Sequence, residues 1–128
     1  MVMLKDKIRR SNTILYCREW QTTVAFYRDV LKLSVNHDAG WFIEFHLADD
    51  SYLSIADTKR ATVAATGGQG ITLSLQVEGL VMLREQLHSA GVRVSEIERV
   101  WGARAFRFRD PEGHRIELWA DSEKGSRS

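Results

Sequence analysis

"RFRDPEGHRIELWAD", residues 107–121, decides how the chain is read. Apolar and charged residues alternate into Asp110-Pro111-Glu112-Gly113 and alternate again on the way out, the pattern of two strands joined by a tight turn. Pro111 fixes φ early in that turn, and Gly113 tolerates φ > 0 at its end. In the outgoing strand one carboxylate, Glu117, sits between Ile116 and Leu118. Alternation gives Glu117 the face shared with Arg115 and Trp119 and leaves Ile116 and Leu118 for a core. Whether Glu117 is a metal ligand or an ordinary outward-pointing residue depends on the rest of the chain.

Upstream of this hairpin, "ITLSLQV" (71–77) alternates as a strand, and "GLVMLREQLHSAG" places Leu80, Leu83, Leu87 and Ala90 on one helical stripe that stops at Gly91. Residues 92–100, 103–109 and 114–120 then read as three strands. The first half follows the same plan. Residues 11–18 suit a strand, and "WQTTVAFYRDVL" sets Trp20, Val24, Tyr27 and Leu31 on one stripe. Residues 35–38, 41–47 and 51–56 read as strands, with "ADDS" as hairpin chemistry between the last two. Two β-α-β-β-β modules therefore lie in tandem, about 11–57 and about 70–121, within one domain spanning 1–128. "SYLSIAD" (51–57) matches "HRIELWAD" (114–121) across the repeat. Between the modules, "TKRATVAATGGQG" mixes a short helix with a Gly-rich linker, and the tail at 122–128 is expected to fray. The fold class is α+β. Each sheet buries one face under its helix, and two such sheets side by side make a half-open eight-stranded cup with helices outside, whose inner face is the default ligand site.

Composition fits this reading. Hydrophobic residues at 44% and charged residues at 27% are ordinary for a globular chain. The net charge is +1, and the one basic cluster (Lys5, Lys7, Arg9, Arg10) is terminal, so no nucleic-acid partner is expected. A single cysteine, Cys17, excludes an internal disulfide and suits a reducing compartment. No apolar run approaches the roughly 20 residues of a membrane span, and "MVMLKDKIRR" lacks the apolar core of a signal peptide. The expectation is a soluble cytoplasmic protein with no membrane partner.

The module order, "TTVAFYRDVLKL" (22–33) and "FRDPEGHRIELW" (108–119) resemble the vicinal oxygen chelate superfamily, which contains glyoxalase I, bleomycin-resistance proteins, fosfomycin-resistance enzymes and extradiol dioxygenases. The resemblance implies the cup, and family members usually pair, so a homodimer is expected. It also implies four metal-ligand positions, which fall on Asn12, Ser54, Thr72 and Glu117. Only Glu117 is a usual ligand. Divalent transition metals want imidazole or carboxylate, typically three protein ligands plus water in a catalytic site. A carboxamide and two hydroxyls are poor substitutes, so no cofactor is expected, with a divalent metal as the alternative. Among replacement candidates, His88 falls near a helix C-terminus, and His114 shares a face with Ile116 and Leu118 rather than with Glu117. Glu44 and His46 share a strand face, as two ligands or a polar wall, and His37 completes the histidines. Each histidine reads more simply as a solvated or hydrogen-bonded surface residue.

Parity extends the forecast to a binding surface. The cup-facing set is Asn12, Ile14 and Tyr16; Tyr52 and Ser54, with Ala56; Thr72, Ser74 and Gln76; and Arg115, Glu117 and Trp119. Trp41 and Trp101 are placed to cap the mouth or to anchor an interface. Hydroxyls, amides, aromatic rings, one arginine and one carboxylate can hold a planar or cationic organic molecule. Arg115 is the expected partner that keeps Glu117 ionised. Two functions follow: metal-free binding of a small organic molecule, with aromatic compounds among the candidates, or a metal-dependent lyase, transferase or dioxygenase. A third, a subunit whose cup has become structural, has no distinguishing residue. The first fits the missing ligands, and it makes Glu117 a polar cup residue.

Overall fold

Alternating polarity makes the first strand. β1 (Ser11–Cys17) buries Leu15 and Cys17 and gives Asn12, Ile14 and Tyr16 to its other face. The chain is described here by a computed structural model over residues 4–121; the tail at 122–128 lies outside the described residues.

Helix α1 (Trp20–Ala25) follows and widens into a π-helical stretch, Phe26–Val30, closed by the Leu31 N–H donating to the Phe26 carbonyl at 3.0 Å. The wider turn lets the consecutive Phe26 and Tyr27 both be buried, their rings edge-on with centroids 5.5 Å apart. The expected stripe is therefore only half right. Val24 and Tyr27 are buried, whereas Trp20 and Leu31 are half-buried and Leu31 lies past the last helical residue. Trp20 holds the helix to the sheet through its indole N–H, which donates to the Ile55 carbonyl at 2.9 Å.

β2 (Ser34–Asp38), β3 (Phe42–Ala48) and β4 (Ser51–Asp57) complete the first unit in the order β1-β4-β3-β2, with β1 parallel to β4 and the other pairs antiparallel. The "ADDS" turn places Asp49 at φ 42°, a left-handed conformation that a short polar side chain tolerates. Ile43, Phe45, Leu53 and Ile55 are buried, as are Leu15, Val24 and Tyr27, and the Tyr27 and Phe45 ring centres lie 6.1 Å apart. Each such side chain contributes roughly 1.5–3 kcal/mol on burial.

The second unit repeats the plan. A division between compact units falls between Gly67 and Gly68, in the linker, after a short 3₁₀ turn at Thr58–Arg60. β5 (Thr72–Gln76), α2 (Leu80–Ser89), β6 (Glu98–Val100), β7 (Ala103–Arg109) and β8 (Arg115–Asp121) form a sheet in the order β5-β8-β7-β6, with β5 parallel to β8. α2 ends in a Schellman motif: the Gly91 N–H donates to the His88 carbonyl and the Val92 N–H to the Leu87 carbonyl, both at 3.0 Å, with Gly91 at φ 88°. Leu80 and Leu87 are buried and Leu83 half-buried, but Ala90 is exposed at the helix end rather than part of the apolar stripe.

The strand expected over 92–100 is the clearest departure. Only Glu98–Val100 is a strand. Before it, the chain still runs beside β7, because the Ser95 N–H donates to the Arg107 carbonyl at 3.0 Å. The return bond comes from the Arg107 N–H to the Ser95 hydroxyl at 2.8 Å, so a side chain replaces the backbone acceptor and the ladder breaks there. The fold is α+β, two tandem modules, each an open four-stranded sheet and neither closed into a barrel. Among the described residues, no helix is long and apolar enough to cross a membrane.

Candidate functional site

In the first unit the strand registers align three rows on the sheet face away from the core. Asn12, Tyr52 and His46 form one row, Ile14, Ser54 and Glu44 the next, and Tyr16, Ala56 and Phe42 the third. The middle of this face is a polar network. The Ser54 hydroxyl, wholly buried, donates to Asn12 Oδ1 at 2.8 Å, and Asn12 Nδ2 donates to Glu44 Oε2 at 3.2 Å. Arg10 donates to the same oxygen at 2.9 Å, and Asn36 Nδ2 donates to Glu44 Oε1 at 2.7 Å. The Glu44 carboxyl is held below its ordinary value, first by the Asn36 hydrogen bond and then by Arg10, against the opposing effect of burial. The Arg10 guanidinium also lies 3.9 Å from the centre of the Tyr52 ring, which in turn is 5.2 Å from the His46 ring.

In the second unit Thr72 and Arg115, Ser74 and Glu117, and Gln76 and Trp119 are register partners on the equivalent face. Burial alternates along β8, with Ile116, Leu118 and Ala120 buried and Arg115, Glu117 and Trp119 half-exposed, as parity required. Arg115 is not the partner of Glu117. Its Nη1 donates to the Thr72 hydroxyl at 3.3 Å, while Glu117 accepts from the Ser74 hydroxyl at 3.1 Å. The cation beside Glu117 is Arg107, with Nε 3.5 Å from Oε2. That Nε is buried and makes no hydrogen bond, so the contact is ionic. Arg107 Nη1 reaches Glu98 at 3.5 Å as well.

The turn that opened the reading is built by Asp110. Its Oδ1 accepts from the backbone N–H groups of Glu112, Gly113 and His114 at 3.0, 2.9 and 2.8 Å, and its Oδ2 accepts from His114 Nδ1 at 2.8 Å. His114 is therefore no surface residue: it is 4% exposed and packs on the core side with Ile116 and Leu118. His37, His46 and His88 are exposed, and His46 Nε2 lies 2.9 Å from the Asp49 carbonyl. Trp41 is half-buried against the Phe42 ring, whereas Trp101 is 97% exposed at φ 55°.

The donors do not fit a divalent transition metal. Asn12 and Ser54 are hydrogen-bonded to each other, Thr72 accepts from a guanidinium, and Glu117 faces Arg107. Glu44 has both oxygens engaged by cationic or amide donors. Among the described residues no three His, Cys, Asp or Glu side chains gather where they could hold a metal. Parity reasoning missed Arg10, Asn36 and Arg107. Asn36 escaped because a β-bulge between Val35 and His37 breaks the alternation of β2. Arg107 and Arg109 were legible in "RFR", where the arginines share the face opposite Phe108.

The model of the glyoxalase-like domain family matches residues 11–122. The chain belongs to that family. No curated protein is similar to it in sequence. Solved structures are similar in fold, and at their low identities the fold is all they show. A lactoylglutathione lyase from Agrobacterium tumefaciens is 19% identical with a TM-score of 0.71, covering 89% of this chain and 93% of its own. An antibiotic binding protein from Streptomyces sp. CB03234 is 17% identical with a TM-score of 0.77, covering 91% and 98%. A glyoxalase/bleomycin resistance protein/dioxygenase from Nocardioides is 20% identical with a TM-score of 0.73, covering 93% and 89%.

Proposed function

We propose that this glyoxalase-like protein binds a small, at least partly aromatic organic molecule on its open sheet faces, without a metal. The observation that carries this reading is the hydrogen bonding at the family's ligand positions: Asn12 and Ser54 satisfy each other, and Glu117 is committed to Ser74 and Arg107. Replacing such partners with a cation would strand buried polar groups, at roughly 1–3 kcal/mol for each group left unsatisfied. The half-exposed Tyr16, Tyr52 and Trp119 offer rings for stacking beside directed donors and acceptors, which is how small-molecule sites gain affinity and orientation. Similarity in fold to an antibiotic binding protein supports the reading without fixing the ligand.

A metal-dependent lyase, transferase or dioxygenase rests on Glu117 alone among the four positions. Elemental analysis of protein purified without chelator tests the choice. The expected result is far less than one Fe, Mn, Ni, Co or Zn per chain, and no rise in Tm when these ions are added. One tightly held ion per chain would reverse the conclusion.

A further inference from the structure

The open face of the second unit is basic, and its charge is largely uncompensated. The register pairs Arg107 with Glu117 and Arg109 with Arg115, so three guanidinium groups rise from neighbouring positions of β7 and β8. Together with Arg93 and Ser95 from the irregular segment before β6, they line a cavity of about 570 Å³. Arg107 is balanced by Glu98 and Glu117. The others are not. Arg109 Nη1 donates to the Gly113 carbonyl at 2.8 Å and Arg115 Nη1 to the Thr72 hydroxyl at 3.3 Å, both neutral acceptors. Among the described residues neither of these, nor Arg93, has a carboxylate within ion-pair distance.

Arg109 directly opposite Arg115 is an unfavourable cross-strand pair, since like charges facing each other on one sheet repel. An acid group placed between them removes the repulsion and meets two planar forks built to hold two oxygens each. The cavity is also large enough for an organic body, within the roughly 300–1,000 Å³ of ordinary ligand sites. The sequence left a planar or a cationic guest open, and these arginines favour an acidic one.

Resting on the reading of the chain as a small-molecule binding protein, we infer that the second unit's cavity takes an organic anion. Its carboxylate, sulfonate or phosphate group is held by Arg109 and Arg115, with Arg93 at the edge. The experiment uses a matched pair of fluorescent probes: the aromatic sulfonate 1-anilinonaphthalene-8-sulfonate and its neutral relative N-phenyl-1-naphthylamine. Both are titrated into the full chain and into Arg109→Gln/Arg115→Gln, whose folding is checked by circular dichroism. The double variant should weaken the sulfonate about tenfold or more and change the neutral probe by about twofold or less. On the unaltered chain, raising salt from about 50 mM to about 500 mM should weaken the sulfonate and spare the neutral probe, a result independent of any variant's folding. If both probes bind equally, insensitive to salt and to the arginines, the anion inference falls and the binding reading stands. If neither probe binds the folded chain, both fall together.

Discussion

Glu44 and Arg107 occupy equivalent positions in the two units: Glu44 faces Ser54 across β3 and β4, and Arg107 faces Glu117 across β7 and β8. One repeat thus carries its acid on the third strand and the other on the fourth. In the first unit Arg10, from the segment before β1, supplies the balancing cation, and two asparagines complete the shell. In the second the cation comes from the sheet itself, and further arginines accumulate around it. The same scaffold therefore presents a neutralised polar network on one face and a basic cavity on the other.

The Glu44 network should make stability acid-sensitive. Its folded-state carboxyl lies below the ordinary 4.5, so its contribution is complete above that value and is lost as pH falls through the lower folded value. Urea unfolding from about pH 7 to about pH 3 should show stability falling at the acid end, with a shallower fall in Glu44→Gln. At neutral pH that variant should lose about 1.5–3 kcal/mol, the range for hydrogen bonds to a charged group. An unchanged acid limb would show that the network is not felt in the folded state.

Asp110→Ala should cost about 3 kcal/mol or more, because one buried side chain accepts from three backbone N–H groups and from His114. Asp110→Asn keeps an oxygen for the backbone but offers an amide N–H group to His114 Nδ1 if that oxygen stays in place. Its loss should be smaller, about 1–2 kcal/mol. Equal losses for the two variants, measured by chemical denaturation, would mean that the backbone bonds of the turn are not what Asp110 supplies.

Much of this arrangement was legible in the sequence. The tandem modules, the turn at Asp110-Pro111-Glu112-Gly113 and the in–out parity of β8 followed from periodicity, because each strand there has one wet face and one dry face. Reading failed where the backbone leaves its regular period. The π-helical stretch shifts the phase after Val24, the bulge at Asn36 redirects a side chain, and the Ser95 hydroxyl substitutes for a ladder carbonyl. Partnerships between distant elements were also beyond periodicity. Nothing local says that Arg10 reaches Glu44, or that Arg107 rather than Arg115 sits beside Glu117.

Two glycines of one linker should respond differently to a methyl group. A Cβ on Gly68, at φ +84°, would collide with the backbone of Gly113 and His114, whereas one on Gly70, at φ +83°, meets open space. Gly70→Ala should cost about 1–2 kcal/mol from the left-handed backbone alone. Gly68→Ala adds a clash with a turn fixed by Asp110 and should cost about 4 kcal/mol or more, a size reserved for such mechanisms. Thermal denaturation of the two variants should therefore separate clearly, and matching Tm values would refute the close approach.

Glu117 and Trp119 lie two positions apart on one face of β8, so substituting each compares charge with stacking at nearly fixed depth. Trp119→Ala should weaken both aromatic probes, since an aromatic contact contributes about 0.5–1.5 kcal/mol beyond its buried area, or about twofold to tenfold in affinity. Glu117→Ala should leave the neutral probe unchanged. It should strengthen the sulfonate by about fivefold or less, because a half-exposed carboxylate contributes about 1 kcal/mol or less and its removal frees Arg107 to face the anion. Added divalent metal should alter neither titration. The opposite pattern, a metal-dependent signal lost in Glu117→Ala and untouched in Trp119→Ala, would make Glu117 a working ligand and return the protein to the metal-dependent branch of its family.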